Sequence, residues 1–346
     1  MGITGLLKFG EYVDGVVTMN DCIQHYMNEK GRAPRIAFDM SVLFHMYMDD
    51  YEAKHCYEVM HDGNPLTVND IKGYYGRLND FLASLKCSDI WLVFDGKGIP
   101  YKEDTMVKRR STRDEMYKLG KYKQCIESPW NHYELVHEMM VLDEAMGSTH
   151  KPWHLVKAPC EADAQLYFLQ REDLVDIIVT VDSDVIAYGA DRVFFMSPPR
   201  YFIKDLSHAQ PSLFRIDHSV KLNDVPSDVI IVMAWLLGND YSKGIARVGQ
   251  KSVLKMLDGC EINRSIDRDT MVKNILEQYI NSDAEKKMNS IAKTCEKHHI
   301  NRESVYQQLH LLFKIFKTYP VFNPIFECYC TLDQRKFTNI DAWRSE

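Results

Sequence analysis

Short apolar runs that stop at acids recur along this chain. Ile36-Ala37-Phe38 ends at Asp39, and Ile90-Trp91-Leu92-Val93-Phe94 ends at Asp95. Ile177-Ile178-Val179-Thr180-Val181 ends at Asp182-Ser183-Asp184. Runs of this length with polar borders predict strands buried on both faces, the habit of a parallel sheet. Between the first two lie segments of helical pattern, roughly 41–60 and 68–86, parted by a turn at His61-Asp62-Gly63-Asn64-Pro65. Residues 97–150 are charged, helical in pattern and free of strand signal, an insertion between two strands. Strand and helix patterns return over 151–217, with Pro198-Pro199 marking a loop. Residues 226–258 read helix, turn, helix: Ser227 caps an apolar helix, Gly238 to Gly249 form the turn, and Gln250 to Leu257 the second helix. The remainder, 263–346, is mostly helical and polar, and Leu309 to Phe316 is apolar enough to pack back on the body. The expected class is α/β, with a mostly parallel central sheet flanked by helices.

That architecture carries a chemical consequence. Ligands of open α/β sheets gather at the carboxyl ends of the strands. Asp39, Asp95, Asp182 and Asp184 should therefore meet at one edge. Glu161 and Asp163, which open a helix after Pro159, and Asp240, which follows the apolar helix, are candidates to join them. So many acids repel one another unless cations sit between them, and hard oxygen-liganded ions such as magnesium or manganese fit best. Each motif also has a plainer explanation. Asp182 and Asp184, two apart on a strand, share a face, but such a pair also forms turns. Acids at a helix start favour its dipole, which accounts for Glu161 and Asp163 taken alone. Lys102 and Arg109 are two helical turns apart and share a face. They are either a solvated basic surface or a pair of cations over a scissile phosphate. Gly244 to Ser252 leads into a helix N-terminus whose free N–H groups suit a phosphate, and Lys251 adds charge; an ordinary helical hairpin looks the same.

Of 346 residues, 45% are hydrophobic and 26% charged, as in ordinary soluble proteins. The longest apolar stretch, Val229 to Leu237, is too short to span a bilayer, and no membrane partner is expected. The opening MGITGLLKFG lacks a secretory pattern. The nine cysteines include no CxxC and read as reduced thiols. The net charge of −7 would disfavour nucleic acid, but its distribution matters more. Residues 97–123 hold nine basic side chains against four acidic ones.

Taken in order, MGITGLL, IAFDMSVLFH, VFDGKGIPYK followed by KRR, APCEADAQLYFL, TVDSDVIAYG and LLGNDYSKGIARVGQKS resemble the structure-specific 5′ nucleases, the flap endonuclease and exonuclease 1 superfamily. The resemblance runs from Met1 to about Leu257. EADAQL, DSDVIAYG and His45 bring the chain closer to exonuclease 1. It implies a PIN-like nuclease core (1–96 and 151–225), a helical arch (97–150), a helix–two-turn–helix segment (226–300) and a C-terminal helical stretch packed on the core (301–346), all in one compact unit. It further implies that Asp39, Asp95, Glu161, Asp163, Asp182, Asp184 and Asp240 bind two Mg²⁺ or Mn²⁺ ions, with Asp182 essential to catalysis. Lys102 and Arg109 match the arch pair that meets the scissile phosphate. DNA contacts fall to Gly2, His45, Lys108, Arg110, Gly244, Arg247, Gly249, Lys251 and Ser252. Potassium is expected at the 244–252 turn, although Arg247-Val248-Gly249 replaces the usual GIG.

The activity implied is a metal-dependent 5′→3′ DNA exonuclease with 5′ flap endonuclease activity, acting on 5′ ends, flaps or gaps in repair, replication or recombination. The expected protein is a nuclear monomer, or cytoplasmic if viral. It shows no QxxLxxFF sliding-clamp motif within its 346 residues. Gly96 and Gly98 are expected to hinge the arch. A strict flap endonuclease, a 5′→3′ exoribonuclease, a silent DNA-end-binding scaffold and a small-molecule phosphatase remain alternatives.

Overall fold

A computed structural model of the chain describes residues 2–146, 153–204, 213–215, 221–244, 253, 261–263, 265–280, 302–333 and 340–345. Its contacts divide it into two units interleaved along the sequence. A sheet unit comprises Gly15–Val181, Val193–Arg200 and Pro320–Glu346; a helical unit comprises Met1–Asp14, Asp182–Arg192 and Tyr201–Tyr319.

The three apolar runs are strands. Five strands, β1 (Arg35–Asp39), β2 (Asp89–Phe94), β3 (Trp153–Lys157), β4 (Ile177–Thr180) and β5 (Arg192–Met196), lie in the order β3-β2-β1-β4-β5. Every neighbouring pair among them is parallel. A sixth, β6 (Pro199–Ile203), lies beside β5. The mixed α/β class with a mostly parallel sheet is as the sequence predicts. Strand order reverses between β1 and β4, the switch point where such sheets bind ligands. Register there places Ile36 opposite Ile90 and Ile177, and Asp39 opposite Val93. At the amino end of the sheet, Asp176 accepts hydrogen bonds from Arg32 (2.6 and 2.8 Å), from the Arg35 N–H (2.8 Å) and from the Arg35 guanidinium. This clamp ties the start of β1 to the start of β4.

Helices flank the sheet, and Ala162–Arg171 packs across β1, β2 and β4. The helical stretch at 41–60 is two helices, Met40–Tyr47 and Asp50–His61. Asp49 caps the second reciprocally with Glu52, a start signal inside what the apolar pattern reads as one helix. The basic insertion between β2 and β3 holds helices Glu103–Lys118, Tyr122–Cys125 and His132–Ala145. It is docked on Asp50–His61: Tyr57 Oη donates to Asp114 (2.8 Å), and the Tyr57 and Tyr117 rings stack at 4.6 Å. Gly96 is no hinge. Its N–H reaches the Cys160 carbonyl, and a Cβ there would collide with the Ala158 and Pro159 backbone.

In the helical unit, Ser227–Leu237 is buried along its whole length. Ser227 is its first residue rather than its cap; Pro226 occupies that position, and the serine hydroxyl accepts from Lys317 (2.6 Å), which also pairs with Asp228. The run Leu309 to Phe316 lies on helix Arg302–Thr318, and Leu309, Leu312, Phe313, Ile315 and Phe316 are buried, with Phe316 against Tyr188. Short strands β7 (Leu213–Arg215) and β8 (Glu261–Asn263) pair antiparallel.

The C-terminal stretch also contains a hairpin that helical patterning hides, β9 (Pro320–Asn323) with β10 (Cys328–Thr331). The Gln165 amide holds it to the sheet unit, bonding both the N–H (2.7 Å) and the carbonyl (2.8 Å) of Phe322. Among the described residues no helix is long and apolar enough to cross a membrane.

Candidate metal and nucleic-acid site

The acids fall into one group in each unit. In the sheet unit, Asp39 is the last residue of β1 and is buried. Its Oδ1 accepts from the Ser41 N–H (3.0 Å) and hydroxyl (2.7 Å), and its Oδ2 from the Thr180 hydroxyl on β4 (2.9 Å). Asp95 follows β2 directly, two residues beyond the partner of Asp39 in the ladder, so the two lie at the same sheet edge. Asp95 Oδ1 accepts the Ala162 N–H (2.8 Å) and so caps helix Ala162–Arg171 from outside it. Asp95 is an exposed residue that lines a cavity. Desolvation by the protein atoms around its carboxylate, then the charge of Asp39, push the carboxyl above the usual carboxylate range; Glu161 adds to this, and the Ala162 N–H and Lys102 oppose it, while solvent access moderates the effect. A cation beside Asp95 would reverse the effect.

Glu161 precedes the same helix but makes no capping bond. It pairs with Lys102 Nζ at 2.8 Å, and that lysine is buried. Capping therefore explains Asp95, not Glu161. Asp163 sits half-buried in the first helical turn. Lys102 lies in the single tight turn Pro100–Lys102 ahead of the arch helix, so it does not share a helical face with Arg109 as the spacing suggests. Arg109 is half-exposed within the helix, and Lys108 and Arg110 are exposed. His45 is half-buried. Burial lowers its pKa, a hydrogen bond with the Lys123 backbone opposes this, and Arg113 lowers it further.

In the helical unit, Asp182, Asp184 and Asp240 each offer a carboxylate oxygen, and the three lie within 4.8 Å of one another. The strand has ended at Thr180, so a shared strand face is not what joins the first two. Instead Asp182 Oδ1 accepts the Asp184 N–H (3.0 Å), turning the chain into helix Asp184–Tyr188. The turn-forming role and the convergence are thus one geometry. Asp240 sits in a tight turn in which Asn239 Oδ1 accepts the N–H groups of Tyr241 (2.8 Å) and Ser242 (3.0 Å). Gly2, at φ 78°, lies so close to Asp182 Oδ1 and Ser183 that a Cβ would overlap both. Three converging carboxylates suit a hard divalent cation.

Gly244 packs on the Gly238 backbone. Arg247, Gly249, Lys251 and Ser252 lie outside the described residues, and with them the suggested potassium turn. Sequence reasoning missed Thr180 and Ser41, which aim Asp39. The signal for Thr180 is a lone hydroxyl inside an otherwise aliphatic run.

The XPG I-region model matches residues 153–240, which include Glu161, Asp163, Asp182, Asp184 and Asp240. Exodeoxyribonuclease 1 of Schizosaccharomyces pombe is 30% identical over 183 residues, 48% of this chain and 29% of that protein. Flap endonuclease 1 of Methanosarcina acetivorans is 26% identical over 220 residues, 57% of this chain and 62% of that one. The chain thus spans under a third of the first and under two thirds of the second. Among solved structures, the catalytic core of Rad2 in complex with DNA substrate matches with TM-score 0.54 at 17% identity, covering 99% of this chain and 93% of that one. The likeness to Rad2 shows a shared fold, residues 153–240 match the XPG I-region model, and over about half of its length the chain is similar to exonuclease 1 and flap endonuclease 1 proteins.

Proposed function

We propose that the protein hydrolyses DNA phosphodiesters near a 5′ end, as a metal-dependent 5′→3′ exonuclease that also cuts 5′ flaps. The observation that carries this reading is the convergence of Asp182, Asp184 and Asp240. Two Mg²⁺ or Mn²⁺ ions would lower the pKa of a water and stabilise the attacking and leaving oxygens. Asp182, Asp184 and Asp240 would hold cations in the helical unit; Asp39 and Asp95, with Glu161 and Asp163, would serve in the sheet unit. Thr180 and Ser41 fix the Asp39 carboxylate, so no reorganisation is needed when a cation arrives. Lys102, held on Glu161, keeps a positive charge beside the acids, where it would stabilise a scissile phosphate with Arg109. Lys108 and Arg110 are exposed and suit backbone phosphates, giving salt-sensitive binding with little sequence preference. His45, Gly2 and the 244–252 turn complete the DNA contacts in this reading. The protein acts as a nuclear monomer in repair, replication or recombination.

Both exonuclease 1 and flap endonuclease 1 relatives match the chain, so a strict flap endonuclease is the second reading. Doubly labelled DNA separates them. Stepwise loss of mononucleotides from a recessed 5′ end with magnesium supports the first. A single cut at the flap base and nothing on the recessed duplex moves the protein to the second. No magnesium-dependent product from either overturns both.

A further inference from the structure

Beside Asp95 the sheet unit contains a cavity of about 420 Å³, within the size range of small-ligand sites. Asp95 and Gly96 line it together with the apolar side chains of Met60, Met106, Phe94 and Trp130. We propose that this cavity takes one unpaired nucleobase of the DNA strand, with Trp130 as its stacking platform. The proposal rests on the nuclease reading and adds to it a base-binding subsite.

The lining identifies the ligand class. It holds two carboxylates, Asp95 and Glu127, and no lysine or arginine. The lining therefore offers no cationic side chain to hold a phosphate, whereas its apolar walls suit a flat uncharged ring. Trp130 is 76% exposed, and its indole makes no ring contact or hydrogen bond among the described residues. A large aromatic side chain left in water has no use to the fold of this segment. The backbone that carries it is nevertheless firmly held. Asn131 Nδ2 donates to the Leu66 carbonyl (2.9 Å), and Glu127 pairs with Arg113 (2.6 Å). Buried His132 is fixed by Ser128 (2.8 Å) and Tyr74 (3.0 Å). An exposed indole on a braced loop, lining the same cavity as Asp95, is preorganised for stacking. Base–aromatic stacking tolerates any sequence, as an enzyme working along a strand requires.

The test compares wild type, Trp130→Ala and Trp130→Phe on recessed and flapped DNA, each in normal form and with a single abasic site walked through the nucleotides around the cut. Affinity is measured in EDTA, and cleavage separately in magnesium. Trp130→Ala should weaken binding of normal DNA by about 5- to 150-fold, the range of one lost stack, and Trp130→Phe by less. At one nucleotide position, abasic DNA should bind wild type as weakly as normal DNA binds Trp130→Ala, and the variant should not distinguish the two. Wild-type cleavage with equal affinities for all three proteins overturns the base subsite and leaves the nuclease reading intact. Trp130-dependent binding without cleavage keeps the subsite and overturns the nuclease reading.

Discussion

The hydroxyl of Thr180 on β4 donates a 2.9 Å hydrogen bond to Asp39 Oδ2 at the end of β1. The bond crosses the switch point of the sheet, where the strand order reverses and ligands collect. It turns a strand-end aspartate into an aimed carboxylate. Thr180→Val keeps the shape and removes the donor. Leaving a buried acceptor short of one bond should cost about 1–3 kcal/mol in urea unfolding. Single-turnover cleavage should slow by about tenfold, on the scale for loss of an outer-shell partner. Unchanged unfolding and rate would mean that Ser41 alone orients Asp39.

Gly2 has no room for a side chain beside Asp182, and its φ of 78° is strained for any other residue. Gly2→Ala should therefore displace Asp182 and reduce cleavage by more than about tenfold. A variant that cuts normally would detach the N-terminus from the site.

Much of this was legible in the sequence, for a physical reason. Strands buried on both faces must be apolar, and the polar residue that ends them is conspicuous, so Asp39 and Asp95 announce themselves. Helix starts are set by single hydrogen bonds that composition does not reveal. Asp95 caps a helix 67 residues away, Lys317 occupies the Ser227 hydroxyl, and Asp49 starts a helix inside an apparently continuous one. The β9–β10 hairpin was illegible because its four-residue strands are anchored by Gln165, a contact 157 residues distant.

Lys102 is buried against Glu161, unlike the exposed cations of the arch. Lys102→Ala should lower the single-turnover rate by about 10²-fold or more, the scale of one lost oxyanion donor. Arg110→Ala should mainly weaken binding and reduce its salt dependence. If Lys102→Ala instead keeps its rate and changes only affinity, the lysine is an ordinary phosphate contact.

His132 gives the fold a pH dependence of definite sign. Burial, then the charge of His45, lower its pKa to about 3, against about 6.5 in the unfolded chain. Between these values the unfolded state binds more protons, so stability is full above pH 6.5 and falls as the pH drops through that window. The slope is up to about 1.4 kcal/mol per pH unit. Urea unfolding at pH 7, 6 and 5 should show this decline, and His132→Gln should be less stable at pH 7 but flatter. A decline of equal slope in the variant would assign it to other groups.

If cations held by Asp182, Asp184 and Asp240 cut DNA, removing one of these carboxylates must stop the chemistry and spare binding. Single-turnover cleavage of 5′-labelled recessed DNA is measured in magnesium for wild type and Asp182→Ala, each with its DNA affinity. The account predicts magnesium-dependent release of 5′ nucleotides by wild type, and its abolition in Asp182→Ala with affinity kept. Cleavage by a clean Asp182→Ala preparation at the wild-type rate would contradict it.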